Sequence, residues 1–413
     1  MAARIIKHLP RALSKVHPSI TAARGVGATL IDDKGNEFLD LTSGIGALST
    51  GHCHPYITNE VIDQVGKLVH APQQVFGSHE AQVNMIEKML GILPSKLNTI
   101  FPTNSGSEAT DNAIKLSKKY NGKTNVISVL GGFHGRTTGA MSVSSSGTSS
   151  KAGAQPLMPG VFFTSPDIDS LNATLQLQTS PNETTAIIME PVQGESGVFS
   201  LSAEFMKYTR EICDEYNINM IIDEVQCGVG RTGTWWNFEQ KGIVPDILTF
   251  GKGIASGFPI AGIASTAEIM DSGKNSLGGT YNGGPIPSRA VTATLEVIEN
   301  ESLMENVKER GKQLKEGLVK SKQTCNIRQC GLMVAFTPVP YEISLFNKNY
   351  NQMMITNMAI DKLRQKNILV LKAGPNGEFI RLLPPLNVSY LEIQQFLDNY
   401  DDAVEEVVED LII

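Results

Sequence analysis

The chain has 413 residues, 41% hydrophobic and 19% charged, enough for a large domain, a smaller one and a substantial core. A net charge of −7 with no basic run argues against a nucleic-acid partner, and no apolar stretch reaches the roughly 20 residues that span a bilayer. Cys53, Cys213, Cys227, Cys325 and Cys330 are odd in number and scattered, which reads as reduced thiols with no metal site.

In chain order, residues 1–31 carry Arg4, Lys7, Arg11, Lys15 and Arg24 but no acid. A mitochondrial presequence has this composition, so the matrix is the alternative to a cytoplasmic location. An amphipathic helix is predicted over 108–120, with Ala109, Ala113, Leu116 and Tyr120 on one face. Short β-branched runs at 126–130, 186–189, 220–222 and 247–250 predict buried strands. Strands alternating with helices at this spacing predict an α/β fold with a mainly parallel, doubly wound sheet. The Ser/Gly-rich stretch 142–150 reads as a loop at the surface or at a site. Beyond Thr280 the pattern changes to long helical segments, 288–321 and 350–365, followed by a strand at 378–382. These predict a second, smaller domain, with the four glycines of 278–284 as a candidate hinge.

The residues that follow the strands carry the chemistry. Gly131-Gly132-Phe133-His134, Glu190-Pro191, Asp223-Glu224 and Gly251-Lys252 come after the four runs in turn, and ligands of open α/β sheets bind outside the carboxyl ends of the strands. A lysine in such a cleft loses its proton easily because burial disfavours the ammonium, and a neutral lysine condenses with an aldehyde. Asp223, behind Ile221 and Ile222, needs a positive partner if buried, which a protonated pyridine ring would supply. Asn104-Ser105-Gly106-Ser107, just before the predicted helix, offers amides and a helix start to a phosphate. Phe133 is placed to stack on a ring, whereas His134 fits either a ring contact or a structural role.

Together these motifs resemble the class III pyridoxal-phosphate-dependent aminotransferases of fold type I. The likeness runs from about Pro18 to Leu386. It is carried by Gly44-Ile45-Gly46, Gly51-His52-Cys53-His54-Pro55, Thr103-Asn104-Ser105-Gly106-Ser107-Glu108-Ala109 and Phe133-His134-Gly135-Arg136-Thr137. Glu190-Pro191-Val192-Gln193-Gly194-Glu195, Asp223-Glu224-Val225-Gln226 and Gly251-Lys252-Gly253 complete it. The resemblance implies a large domain over 51–285 with a mainly parallel seven-stranded sheet. It implies a smaller α+β domain built from an N-terminal segment, 1–50, and a C-terminal one, 286–413.

It further implies that Lys252 anchors pyridoxal 5′-phosphate and moves the substrate proton. Asp223 would hold the ring nitrogen, Gln226 would approach the ring hydroxyl, Val225 and Phe133 would pack on its two faces, and His134 would lie nearby. Gly106 and Ser107 would bind the phosphate, joined by Thr280 from the neighbouring subunit of a homodimer. By the same resemblance, Arg136 grips the distal carboxylate and Arg381 the α-carboxylate of a 2-oxo acid. Glu195 neutralises Arg381 when an ω-amino donor occupies the site, and Glu190 supports it. Ile45 stands where ornithine aminotransferases have a tyrosine, which disfavours free ornithine, and Gly279-Thr280-Tyr281 and His17-Pro18 resemble the 4-aminobutyrate branch, making 4-aminobutyrate the expected donor. N-acetylornithine or another acylated diamine, ornithine itself, or a decarboxylase or aminomutase on the same fold are the alternatives. Gly283-Gly284-Pro285-Ile286-Pro287, Arg289 and Ser196 depart from the usual family pattern.

Overall fold

The computed structural model describes residues 8, 10, 16–149, 151–338 and 351–412. The presequence-like reading rests mainly on Arg4, Lys7, Arg11 and Lys15, which lie outside the described residues. The middle of the chain forms a seven-stranded sheet in the order Thr99–Thr103, Ala261–Ser265, Ile247–Phe250, Asn219–Asp223, Thr184–Met189, Asn125–Val129, Val161–Thr164. Ala261–Ser265 runs antiparallel to both its neighbours and the remaining pairs are parallel. This is the mainly parallel sheet read from the sequence; the strand at 247–250 lies where predicted, and the other three are one or two residues longer or shifted.

Both faces of the sheet are covered, which is why its strands are apolar without alternation. Ile127, Ile187, Met220, Ile222 and Leu248 join one core, while their chain neighbours Val126, Ile188, Ile221 and Ile247 join the other. Neighbours on a strand point to opposite faces, so one run of residues feeds two layers.

The helix that opens the site spans Gly106–Asn121. The Ser105 hydroxyl accepts from the Glu108 amide at 3.2 Å, and Gly122 ends the helix in the left-handed region at φ 72°. Two four-stranded sheets flank this core. One holds Ala22–Val26, Thr29–Asp32, Glu37–Asp40 and Ile368–Leu369; the other orders Thr324–Cys330, Met333–Pro338, Phe379–Leu382 and Leu371–Ala373. Early and late segments of the chain therefore share a sheet.

Two expectations change. The segment 288–321 is two helices, Pro285–Asn300 and Leu303–Lys320, because Ser302 takes a left-handed φ of 52° between them. Part of the stretch 142–150 is not loop: Thr138–Val143 is helical, and Ser142 is buried with its hydroxyl donating to the Thr138 carbonyl at 2.6 Å. A serine bonded four residues back tolerates a helix interior that its composition argues against. Arg289 donates from Nε to Glu60 at 2.8 Å, bracing Pro285–Asn300 against the helix Pro55–Lys67.

Candidate active site

A cavity of about 290 Å³ opens at the carboxyl ends of the parallel strands, lined by Gly106, Ser107, Phe133, His134, Glu190, Asp223, Val225, Gln226 and Lys252 among others. Seven local sequences converge there because the parallel strands end on the edge where the antiparallel Ala261–Ser265 begins. Lys252 follows the Ile247–Phe250 strand with φ 45°, a left-handed conformation that costs a non-glycine residue on the order of 1 kcal/mol and is retained where surroundings over-determine it. Burial draws the lysine's pKa down, and the opposing charges of Glu195 and Glu190 only partly offset that. That direction favours the neutral amine over the ammonium.

Asp223, 3% exposed, sits at the end of Asn219–Asp223. One of its carboxylate oxygens accepts from the Val225 amide at 3.0 Å and the other pairs with His134 Nδ1 at 2.7 Å. His134 is buried and its Nε2 lacks a partner among the described residues. The imidazole therefore fixes the orientation of Asp223 as much as it borders the cavity. Glu190 accepts from the Phe133 amide at 2.7 Å. Burial, followed by the nearby Asp223 charge, raises its pKa.

At the start of Gly106–Asn121, the Gly106 and Ser107 amides belong to the first helical turn and have no carbonyl behind them to bond. Space is tight: a Cβ on Gly106 would lie 2.9 Å from Val225 Cγ1. Gly135 at φ 136° is more restrictive still, since a Cβ there would meet the Ser107 hydroxyl at 2.1 Å. That hydroxyl instead accepts from the Arg136 amide at 3.2 Å.

The mouth of the site holds the second group. Arg381 is 2% exposed and donates from Nη2 to Glu195 at 2.9 Å and from Nη1 to Gln226 at 3.4 Å, while its Nε has no partner among the described residues. Burial alone would raise the Glu195 pKa, but Arg381, Lys252 and Arg136 outweigh it and hold the carboxyl below its usual range. Arg136 lies 5.3 Å above the Phe133 ring and, with Glu195, lines an adjoining cavity. Ser196 donates to the Gly131 carbonyl at 2.6 Å, tying the Glu195 turn to the turn after Asn125–Val129.

Three predicted site residues line neither cavity: Arg381, which reaches them through Gln226 and Glu195, and Ile45 and Thr280. Ile45 is 47% exposed in a strained turn at φ 64°, and Thr280 is exposed. Other contacts carry no simple sequence signal. Glu224 faces away from the cavity, accepting from the Asn237 and Phe238 amides at 2.6 and 2.7 Å, and burial pushes its pKa up to about 8. The Gly257-Phe258-Pro259-Ile260 wall of the cavity was likewise missed, though a Gly-Phe-Pro turn starting five residues after the lysine is a detectable signal.

These residues fit pyridoxal phosphate on their own geometry. There is an unpaired helix-start amide pair for the phosphate, a buried carboxylate held for a ring nitrogen, and a Gly106 whose missing side chain lets Val225 pack close beside that helix start. A lysine of lowered pKa stands within the same cavity. Among the described residues, no cluster of His, Cys, Asp and Glu could hold a metal ion.

Residues 12–404 match the family model described as aminotransferase class-III. The chain is 35% identical to the 5-aminovalerate aminotransferase of Pseudomonas aeruginosa, covering 97% of this chain and 96% of that protein. It is 35% identical to the 4-aminobutyrate aminotransferase of Escherichia coli, covering 96% of each. With the acetylornithine aminotransferase of Bacillus cereus it shares 36% identity over 91% of this chain and 92% of that one. Among solved structures, a transaminase from the marine bacterium Virgibacillus superposes with a TM-score of 0.91 at 26% identity, covering 99% of both chains. The chain belongs to the class III aminotransferases. It is accordingly an enzyme of fold type I that depends on pyridoxal phosphate and transfers an amino group from a small-molecule donor to a 2-oxo acid.

Proposed function

We propose that the enzyme moves the amino group of an ω-amino acid, 4-aminobutyrate first, to 2-oxoglutarate, giving the semialdehyde and glutamate. The observation that carries this is the buried Arg381 paired with Glu195 at 2.9 Å. A site that had only to accept α-amino acids would gain nothing from a carboxylate competing for its own arginine. A donor with its amine on a terminal carbon brings no α-carboxylate, and a buried guanidinium left alone costs several kcal/mol. Glu195 meets that need from within the chain. The Escherichia coli and Pseudomonas relatives are named for terminal amino acids of four and five carbons, so 5-aminovalerate joins 4-aminobutyrate as a donor to test. The Bacillus cereus relative keeps N-acetylornithine as the second reading.

When bound, pyridoxal phosphate supplies an electron sink for the carbon that loses its proton. The Gly106 and Ser107 amides would bind its phosphate, and Val225 and Phe133 would border its ring. Asp223, oriented by His134, would keep the ring nitrogen protonated. Lys252 would hold the aldehyde carbon until the donor amine displaces it, and its freed amine would then take the proton from the substrate carbon and return it to the cofactor carbon. Arg136 holds the far carboxylate of the donor. Glu195 turns aside when the α-carboxylate of the acceptor reaches Arg381.

We further propose a homodimer in which Thr280 reaches the partner's cofactor phosphate. Thr280 is exposed, the neighbouring Tyr281 stacks on His70 at 5.2 Å between centroids, and Val69, Val75 and Phe76 are exposed nearby in sequence. Such an apolar surface needs a cover. The division into 1–50, 51–285 and 286–413 and the cytoplasmic location belong to the same proposal. Among the described residues no helix is long and apolar enough to cross a membrane.

Mixing the holoenzyme with each donor and following the cofactor's absorbance tests the reading. Rapid conversion by 4-aminobutyrate or 5-aminovalerate supports it. Conversion by N-acetylornithine alone replaces it with the second reading.

A further inference from the structure

The turn that carries Glu195 is held by residues outside the catalytic motifs. Val198 within it adopts φ 57°, a left-handed conformation that a β-branched residue occupies only under constraint, and it is 2% exposed. Gly374 donates its amide to the Glu195 carbonyl at 2.9 Å. Arg328 donates from Nη1 to the Ser196 and Gly197 carbonyls at 3.3 and 3.4 Å. The same guanidinium lies 4.4 Å from the centroid of the Phe379 ring and 6.0 Å from that of Phe199.

Arg328 comes from Thr324–Cys330, whose pairing with Met333–Pro338 slips between Cys325 and Arg328, where Asn326 takes φ 51°. An irregularity of this kind re-aims the side chain that follows it. Phe379 and Arg381 lie two apart on one strand, Phe379–Leu382, and so project from the same face. One side chain thus touches two consecutive carbonyls of the turn, between Glu195 and the strained Val198, and a ring of the strand that presents Arg381.

We propose that Arg328 is a positioning residue that holds the Glu195 turn against the Arg381 strand, so that only the Glu195 side chain moves when one substrate replaces the other. The proposal rests on the switch reading above. With the backbone pinned, Glu195 returns to Arg381 each time an acceptor leaves. Without Arg328 the turn relaxes, the pair forms less often, and donors lacking an α-carboxylate meet an uncompensated Arg381. The α-carboxylate of glutamate supplies its own partner and is insensitive to the loss.

The test uses the full-length holoenzyme with Arg328→Met, Arg328→Lys, Glu195→Gln and the Arg328→Met/Glu195→Gln pair. Each half-reaction, with 4-aminobutyrate or with glutamate, is measured in single turnover, alongside thermal unfolding. Arg328→Met should lower the 4-aminobutyrate rate constant over its dissociation constant by about five- to tenfold, the scale of one cation–π contact plus charged hydrogen bonds, while leaving the glutamate value within about twofold. Arg328→Lys should recover part of the loss. The double variant should lose no more than Glu195→Gln alone, because Arg328 acts through Glu195. Equal losses with both substrates, or full additivity, would overturn the proposal even if the variant unfolds at the wild-type temperature. If Glu195→Gln itself leaves the ratio of the two substrates unchanged, the switch reading fails and the proposal with it. If Glu195→Gln shifts the ratio and Arg328→Met does not, only the role of Arg328 falls.

Discussion

Replacing Glu195 by glutamine keeps an oxygen 2.9 Å from Arg381 Nη2 but removes the charge that balances a guanidinium only 2% exposed. Truncating one partner of a fully buried pair costs about 3–5 kcal/mol. The Glu195 side chain is 33% exposed, and water in the substrate cavity screens the loss, so about 1–2 kcal/mol is the appropriate scale. At about 1.4 kcal/mol per tenfold, the half-reaction with 4-aminobutyrate should slow by roughly five- to thirtyfold. The half-reaction with glutamate should be unchanged or faster, since no ion pair has to be broken for its carboxylate to reach Arg381. Stopped-flow absorbance of the cofactor reads both steps on one sample. A matching decrease with the two substrates would refute the argument, because it would assign Glu195 to general architecture rather than to charge compensation.

Lys252→Ala should lower turnover by at least about a thousandfold while the circular dichroism of the folded protein is retained, because the side chain is a base and anchor and not a core element; wild-type transamination by this variant would remove Lys252 from the mechanism. Thr280→Ala should weaken cofactor binding by about tenfold, the value of one hydrogen bond to a charged phosphate, with an unchanged sedimentation coefficient; an unchanged affinity in a confirmed dimer contradicts its placement at the partner's site. Glu224 has its pKa raised by burial to about 8. Its folded value lies above its unfolded one, so its contribution is fully present below the ordinary carboxylate range and is lost as pH rises through about 8. Apo-protein should therefore lose stability between about pH 5 and about pH 9, and Glu224→Gln should flatten that slope by an amount on the order of a few kcal/mol. A slope identical in the two proteins would contradict the assignment.

The parallel sheet was legible because its strands are short, β-branched and buried on both sides, and because the residues that follow them are chemically distinct. Lys252, Asp223, Gly106 and Ser107 are local features: each is fixed by one strand end or one helix start, so a short motif contains the information. The helix break at Ser302 was not legible, since a single left-handed residue interrupts no hydrophobic period. Ser142 misled for the opposite reason, its hydroxyl being satisfied inside the helix. The contacts of Arg328 with the Glu195 turn join residues more than 130 apart, and nothing in the alternation of an edge strand marks which arginine will be turned inward. The pairing of His134 with Asp223 links two strand ends and becomes visible only once the sheet order is known.

Donor identity separates the 4-aminobutyrate reading from the N-acetylornithine one. An equimolar mixture of 4-aminobutyrate, 5-aminovalerate, ornithine and N-acetylornithine, given to the holoenzyme with limiting 2-oxoglutarate, reports relative kcat/KM directly when the remaining donors and the glutamate formed are quantified by mass spectrometry. The site predicts that 4-aminobutyrate is consumed ahead of the others, with one glutamate for each semialdehyde. Preferential loss of N-acetylornithine, or consumption of donor without glutamate, would contradict it.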